Sequence, residues 1–356
     1  MSIVVLIPAH NEERDLAVSV LSALRQTHRP DRIIVVSDNS TDRTVQVGRS
    51  FADQGVEVVE TVGNRHRKAG ALNQVLAQLL PGLAWNDAIL EMDADSALHP
   101  CYLEHAIIHL RARVGAVGPT YVGQPRKGGL LGLLQRMEYA RFNRQIGRRG
   151  GRTPVLSGTA TLASVKALRS VLHGRASGRL PSGGEGWGVY NPTTGTEDYE
   201  LTLCLRRLGY RPVAPPDCIV VTDVMPTIGK WHAQRLRWYW GALTNLRQHG
   251  LNRVTMPYIS GIAAVFAGVA VTVLYAMVML ATFAIQGGVR FAPWWLTPVA
   301  IVLAERVWTV RREGYRAVLV AALFVPELAY DWLRQVTWLH AALNALSGAE
   351  QEWAAT

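Results

Sequence analysis

The sequence predicts an α/β fold, a doubly wound and mainly parallel sheet with helices on both faces, followed by C-terminal transmembrane helices. Three observations carry this expectation. Short apolar runs at 3–7, 32–38, 56–60 and 88–92 alternate with segments of helical period, the pattern of strand–helix units whose right-handed crossovers make strands parallel. Residues 258–285 hold no charged side chain and exceed the roughly 20 residues that span a bilayer core. A mean hydropathy of +0.10 at 18% charged residues is high for a soluble chain, so the apolar excess must be concentrated in one part of it.

Taken in order, Ile3-Val4-Val5-Leu6-Ile7 reads as a fully buried first strand. The loop Pro8-Ala9-His10-Asn11-Glu12-Glu13 follows, with Asn11 suited to cap a helix that runs to about Gln26. Arg32-Ile33-Ile34-Val35-Val36-Ser37-Asp38 is the second strand, and Asn39-Ser40-Thr41-Asp42 turns into a second capped helix. A third strand at 56–60 precedes Lys68-Ala69-Gly70-Ala71-Leu72-Asn73, which opens a helix. The fourth, Ala88-Ile89-Leu90-Glu91-Met92, delivers Asp93 and Asp95 to its C-terminal edge, where open α/β sheets place ligands. Residues i and i+2 of a strand share a side, so the two carboxylates can converge on a hard cation, Mg²⁺ or Mn²⁺. A solvated turn or a helix cap uses the same pair.

Composition narrows the partners less sharply. A net charge of +10 suits nucleic acid, an anionic membrane face or a phosphorylated substrate. Arginine carries nearly all of it, lysine occurring only at 68, 127, 166 and 230. Between residues 121 and 152 lie Arg126, Lys127, Arg136, Arg141, Arg144, Arg148, Arg149 and Arg152, interleaved with leucines, an amphipathic helix for an anionic bilayer or an acceptor channel. Only Tyr139 and Phe142 are interspersed there, and no nucleic-acid motif is present, so no nucleic-acid partner is expected. Cys101, Cys204 and Cys218 lack metal-ligand spacing and read as reduced thiols of a cytosol-facing domain. The first apolar run is too short for a signal peptide, so the N-terminal domain is expected not to be exported and to lie on the cytoplasmic side of the inner membrane.

The order of the pieces resembles a known family. Pro8-Ala9-His10-Asn11-Glu12, Ser37-Asp38-Asn39-Ser40-Thr41-Asp42, Lys68-Ala69-Gly70-Ala71-Leu72-Asn73 and Asp93-Ala94-Asp95 resemble the GT-A nucleotide-sugar domain of family 2 glycosyltransferases. Ser157-Gly158-Thr159, Thr196-Glu197-Asp198 and Gln234-Arg235-Leu236-Arg237-Trp238 resemble the later motifs of its cellulose-, chitin- and hyaluronan-synthase-like branch. The likeness spans roughly residues 3–250. Ser37 is a departure, since many relatives carry an aspartate there.

The resemblance implies a UDP-sugar donor, with Pro8, His10, Glu12, Asp38, Lys68 and Asp93 at the nucleotide and Asp93 and Asp95 at a Mn²⁺ or Mg²⁺ ion that neutralises the departing diphosphate. It gives Asp198, beside Glu197, the role of general base in an inverting displacement. Positioning should then matter more than a large pKa shift. It places Gln234 and Arg237 near the diphosphate and Trp238 at the acceptor. Bland readings stand beside these: Asp38 as an Asx-turn residue, Lys68 as a solvated charge, Glu197 and Asp198 as caps favoured by the helix dipole, and 229–249 as a basic interfacial helix.

The expected organisation is a catalytic domain at 1–225, an interfacial helix at 226–256, two or three membrane helices at 257–346 and a tail at 347–356. A second apolar stretch at 291–310 ends in Glu305 and Arg306, and Arg311, Arg312 and Arg316 follow, which positive-inside orientation puts in the cytosol. In the third, 317–346, Glu327, Asp331 and Arg334 share one helical face and need a protein partner within lipid. Glu305 and Arg306 can supply it, or a second subunit of a homo-oligomer can. The acceptor is expected to be a membrane-proximal glycan, lipid or protein. With few helices around the domain, transfer of one or a few sugars is expected over processive polymer synthesis. A catalytically silent nucleotide-sugar scaffold is the alternative from another class. A nucleotidyltransferase would need a glycine-rich phosphate loop after the first strand, and no glycine precedes Gly48.

Overall fold

Seven consecutive buried residues form β1 (Ile3–Ala9), followed by α1 (Leu16–Leu24), β2 (Arg32–Ser37), α2 (Thr44–Arg49), β3 (Val56–Glu60), α3 (Arg67–Leu79) and β4 (Ala88–Glu91). This computed structural model describes residues 1–111, 113–125, 127–288 and 296–347. Arg126, the beginning of the apolar stretch at 291–310 and most of the 347–356 tail lie outside the described residues. Two compact units divide the chain, Met1–Trp231 and His232–Thr356.

In the first unit β1 pairs in parallel with β2 and β4, and β2 with β3, as the four alternating units predict. Strand alternation sorts the core into two faces. Val4, Leu6, Ile34, Val36 and Ile89 pack with Leu72, Val75 and Leu76 of α3. Ile3, Val5, Ile7, Ile33, Val35 and Leu90 pack on the other face with Leu16, Val20 and Ala23 of α1. The sheet is thus covered on both sides, which is why its strands are apolar throughout rather than alternating.

Beyond β4 the chain departs from a simple parallel series. It forms β5 (Ala97–Leu98), α4 (Tyr102–His109), β6 (Ala116–Val117), β7 (Thr120–Gly123), α5 (Gly129–Arg148), β8 (Thr161–Ser164), α6 (Val165–Ala176), α7 (Glu197–Arg207), β9 (Ile219–Thr222) and α8 (Ile228–His249). The main sheet runs β3-β2-β1-β4-β8-β6, and a small second sheet runs β5-β9-β7. β8 enters antiparallel to both β4 and β6. Strands of two to four residues leave no periodic trace in sequence, so these additions were not legible there.

Asn11 corrects the capping expectation. Residue Asp15 precedes α1 without a side-chain cap. Asn11, at φ 57°, instead accepts from the Thr41 and Asp42 amides at 2.8 and 3.3 Å, tying the loop after β1 to the loop after β2. Asparagine tolerates the left-handed region because its short amide bonds locally.

The second unit contains most of α8, then α9 (Met256–Gln286), α10 (Leu296–Val310), α11 (Tyr315–Leu323) and α12 (Val325–Ser347). Among the described residues α9 is the one helix long and apolar enough to cross a membrane, by length and composition. The described part of α10 has 15 residues, about 22 Å at 1.5 Å per residue, short of a ~30 Å hydrocarbon core. The third stretch is two helices broken at Phe324, φ 62°. Arg306 pairs with Glu327 and Asp331, each at 2.6 Å, so the charges expected to need a partner find one within the chain.

Candidate functional site

The C-terminal ends of β1, β2 and β4 meet at one edge of the main sheet, and the motif residues of the first unit collect there in two linked clusters. Asp38, just past β2, is buried, and its Oδ1 accepts from Asn39 Nδ2, Thr61 Oγ1 and Asn64 Nδ2 at 3.0, 2.8 and 2.7 Å. His10 Nδ1 lies 2.6 Å from the Asp38 carbonyl oxygen, and Ser37 Oγ donates to Ser40 Oγ at 3.1 Å. Asn64 also donates to the Arg67 carbonyl at 2.8 Å. One asparagine therefore fastens the Asp38 loop to the start of α3, the helix that carries Lys68.

Lys68 does not extend toward Asp38. Its Nζ lies 2.6 Å from Asp93 Oδ1, 2.7 Å from Glu91 Oε1 and 3.3 Å from Glu197 Oε1. Burial disfavours the ammonium, but the three carboxylates outweigh it and hold the pKa well above the ordinary lysine value. Glu91 is buried; burial pushes its carboxyl up against the pull of Lys68, and Tyr190 donates its hydroxyl to Glu91 Oε2. Asn73 clamps the loop bearing Tyr190, donating to the Gly186 and Tyr190 carbonyls at 2.7 and 2.8 Å and accepting from the Tyr190 amide at 2.9 Å.

Asp198 opens α7 one residue after Glu197. Its Oδ2 accepts from the Gly158 amide at 3.0 Å and its Oδ1 from the Tyr199 amide at 2.7 Å. Burial, then the neighbouring Glu197 charge, push its carboxyl up to about 7, while Lys68 and the two amides pull the other way. Gly158 is small for a reason of space: a Cβ there would sit 2.7 Å from Lys68 Nζ and 3.5 Å from both Asp93 oxygens. The Ser157-Gly158-Thr159 turn thus lies between the Asp93 and Asp198 carboxylates.

Asp95 and Glu12 face the same edge. Asp95 is raised to about 6 by burial and by Asp93, with Asp223 adding to it. Glu12 is raised to about 7 by burial, then by Asp95, Asp15 and Asp93. Asp223 Oδ1 is buried and accepts no hydrogen bond. Mutually repelling carboxylates with an orphaned oxygen form an all-oxygen donor set that fits a hard divalent cation such as Mg²⁺ or Mn²⁺.

Gln234, Arg237 and Trp238 lie on α8 within the second unit. There the Arg235 guanidinium stacks over Trp238 at 4.4 Å, and Tyr239 stacks on Trp338 of α12 at 4.1 Å. Sequence reasoning missed Asn64, Glu91, Tyr190 and Asp223. Glu91 offered one signal, a charge inside an otherwise apolar buried strand, which must be paired to be tolerated.

Tyr190→Phe isolates one of these contacts. It strands Glu91 Oε2 without its donor, an expected loss of about 1–3 kcal/mol. At about 2–4 °C per kcal/mol for a unit of this size, the thermal midpoint falls by several degrees. An unchanged midpoint in a scanning fluorescence measurement shows that the hydroxyl contact contributes nothing.

Comparison with known proteins adds several likenesses. Residues 4–172 match the model "Glycosyl transferase family 2". The chain is 26% identical over 245 residues to poly-beta-1,6-N-acetyl-D-glucosamine synthase of Staphylococcus aureus, a match covering 66% of this chain and 53% of that protein. The Staphylococcus epidermidis counterpart is 27% identical over 246 residues, with the same coverage. The chain therefore spans about half the length of the curated relatives it matches. Among solved structures, the mannosyltransferase PcManGT from Pyrobaculum calidifontis, in complex with GDP-Man and Mn²⁺, superposes with a TM-score of 0.64 at 21% identity, over 98% of this chain and 88% of that one. At that identity the likeness concerns the fold.

Proposed function

From the match of residues 4–172 to the model of family 2 glycosyltransferases, we propose that this chain transfers a sugar from a nucleoside-diphosphate donor to the hydroxyl of a membrane-proximal glycan, lipid or protein acceptor. The observation that carries the reading is the convergence of Asp93, Glu197 and Asp198 around Lys68 and Gly158. Asp93, assigned to the metal, and Asp198, assigned as the base, thus flank the same glycine.

Asp93 and Asp95 would hold the Mn²⁺ or Mg²⁺ ion, with Glu12 beside them; when bound, it neutralises the charge of the leaving diphosphate as a Lewis acid. Asp38 and His10 mark the nucleotide end. Asp198 takes the proton of the acceptor hydroxyl as that oxygen bonds to the anomeric carbon and the bond to the diphosphate breaks. The Gly158 and Tyr199 amides hold its carboxylate in place, so its orientation is fixed before the acceptor arrives. Attack opposite the leaving group inverts the anomeric centre. Lys68 keeps Glu197 and Asp93 from repelling one another and offers a positive charge near the diphosphate. Gln234, Arg237 and Trp238 are assigned to diphosphate and acceptor on their motif alone.

The membrane reading rests on α9, an uncharged helix of 31 residues, most of whose described apolar side chains are exposed. It anchors the protein in the inner membrane with the catalytic unit on the cytoplasmic side, where Arg311, Arg312 and Arg316 also belong. The α10–α12 hairpins, closed by the Arg306 ion pairs, complete a multi-pass or partly embedded membrane unit.

A donor screen on the detergent-solubilised protein tests the activity. UDP-N-acetylglucosamine, UDP-glucose and GDP-mannose are compared for nucleotide release with and without Mn²⁺. One donor is expected to be turned over in a Mn²⁺-dependent way, with a UDP-sugar preferred. Absence of release from every nucleotide sugar, with acceptor glycans and lipids supplied, sinks the proposal.

A further inference from the structure

The geometry points to Asp223 as a third carboxylate of the divalent-cation site, shared between the cation and Lys127. The inference rests on the metal site proposed above and extends it to a residue that no motif marks.

Asp223 immediately follows β9, the middle strand of the small sheet. β5 and β9 pair antiparallel with Ala97 opposite Val221 and Leu98 opposite Val220. One step toward the site the hydroxyl oxygens of Ser96 and Thr222 lie 3.5 Å apart, and Asp95 and Asp223 are the residues adjoining that contact, just outside the two strands. Like charges brought near one another with little water between them repel. A sheet that places two acids in that position needs positive charge between or beside them.

Lys127 meets part of that need, pairing with Asp223 Oδ2. The other oxygen, Oδ1, is buried and accepts no hydrogen bond. A buried carboxylate oxygen left without a donor is costly. Lys127 thus occupies one oxygen and leaves the other for an ion held by Asp93 and Asp95. The small sheet, whose β7 also pairs with β9, would then exist to bring this acid to the edge of the main sheet.

The test is Mn²⁺ titration of the full detergent-solubilised chain, followed by the electron paramagnetic resonance signal of free Mn²⁺. Wild type is compared with Asp93→Asn, Asp223→Asn and Lys127→Gln. Asp223→Asn is expected to weaken Mn²⁺ binding about tenfold. Lys127→Gln, by releasing the second oxygen, is expected to tighten it about threefold. It leaves Asp223 in place and so reads the proposal even if Asp223→Asn folds poorly. If Asp223→Asn binds like wild type while Asp93→Asn is weakened, the third ligand is wrong and the site stands. Loss of affinity in Lys127→Gln as large as in Asp223→Asn makes the pair a structural clamp and overturns the inference. If wild type and Asp93→Asn bind Mn²⁺ equally, the metal site itself fails, and the inference with it.

Discussion

Asp198→Asn lowers kcat by about 10³-fold, the middle of the range for removing a positioned general base, and leaves the Kd of the donor nucleotide nearly unchanged. Asparagine retains an oxygen to accept from the Gly158 amide at 3.0 Å or the Tyr199 amide at 2.7 Å, so the start of α7 stays in place while the proton acceptor is gone. This separates an enzyme from a silent nucleotide-sugar binder, because a binder loses nothing. The wild-type pH profile carries the complementary signature. Asp198 sits at about 7 before ligands bind, through burial and the charge of Glu197. Its reactive form is the carboxylate, so kcat/KM rises with pH through about 7 and levels off above it. Steady-state rates of nucleotide release between pH 5.5 and 8.5 check this. Normal turnover by the asparagine variant would falsify the assignment of the base.

Asp93→Asn has the second large effect, a fall in kcat/KM of about 10²-fold or more, since a Lewis acid contributes several kcal/mol to charge development on a leaving group. The activity that remains requires more Mn²⁺ for half-saturation. Asp93 acts in two ways in the ligand-free protein. It accepts the Lys68 ammonium at 2.6 Å, and its charge raises both Asp95 and Glu12. Asparagine removes that repulsion, so Asp95 and Glu12 ionise at lower pH than in wild type. A weakened metal site with better-ionised neighbours therefore distinguishes a lost ligand from a general loss of acidity. Mn²⁺ dependence identical to wild type contradicts the role of Asp93 at the cation.

The expectation that positioning outweighs pKa tuning at Asp198 meets a more mixed environment than the sequence suggested. A helix N-terminus and two amides would keep a carboxylate acidic, yet burial beside Glu197 dominates. The sequence shows two adjacent acids but not how little water reaches them. Lys68 is a similar case. Its place in the Lys68-Ala69-Gly70-Ala71-Leu72-Asn73 motif was legible, while its partners Glu91 and Glu197 come from β4 and α7, 23 and 129 residues away in the chain.

What the sequence by itself determined is local and periodic. Apolar runs at β1, β2, β3 and β4 specify buried parallel strands, because a strand covered on both faces has no polar side to alternate with. The uncharged length of α9 specifies a helix able to span a bilayer core, since only such a run tolerates hydrocarbon. The spacing of Asp93 and Asp95 follows from the strand period. Tertiary structure alone decided what meets across long loops: the antiparallel entry of β8, the Tyr190 hydroxyl on Glu91, Lys127 on Asp223, and Arg306 between Glu327 and Asp331. Each joins residues from different elements, where the energy lies in satisfying a buried charge rather than in any propensity of the segment that carries it.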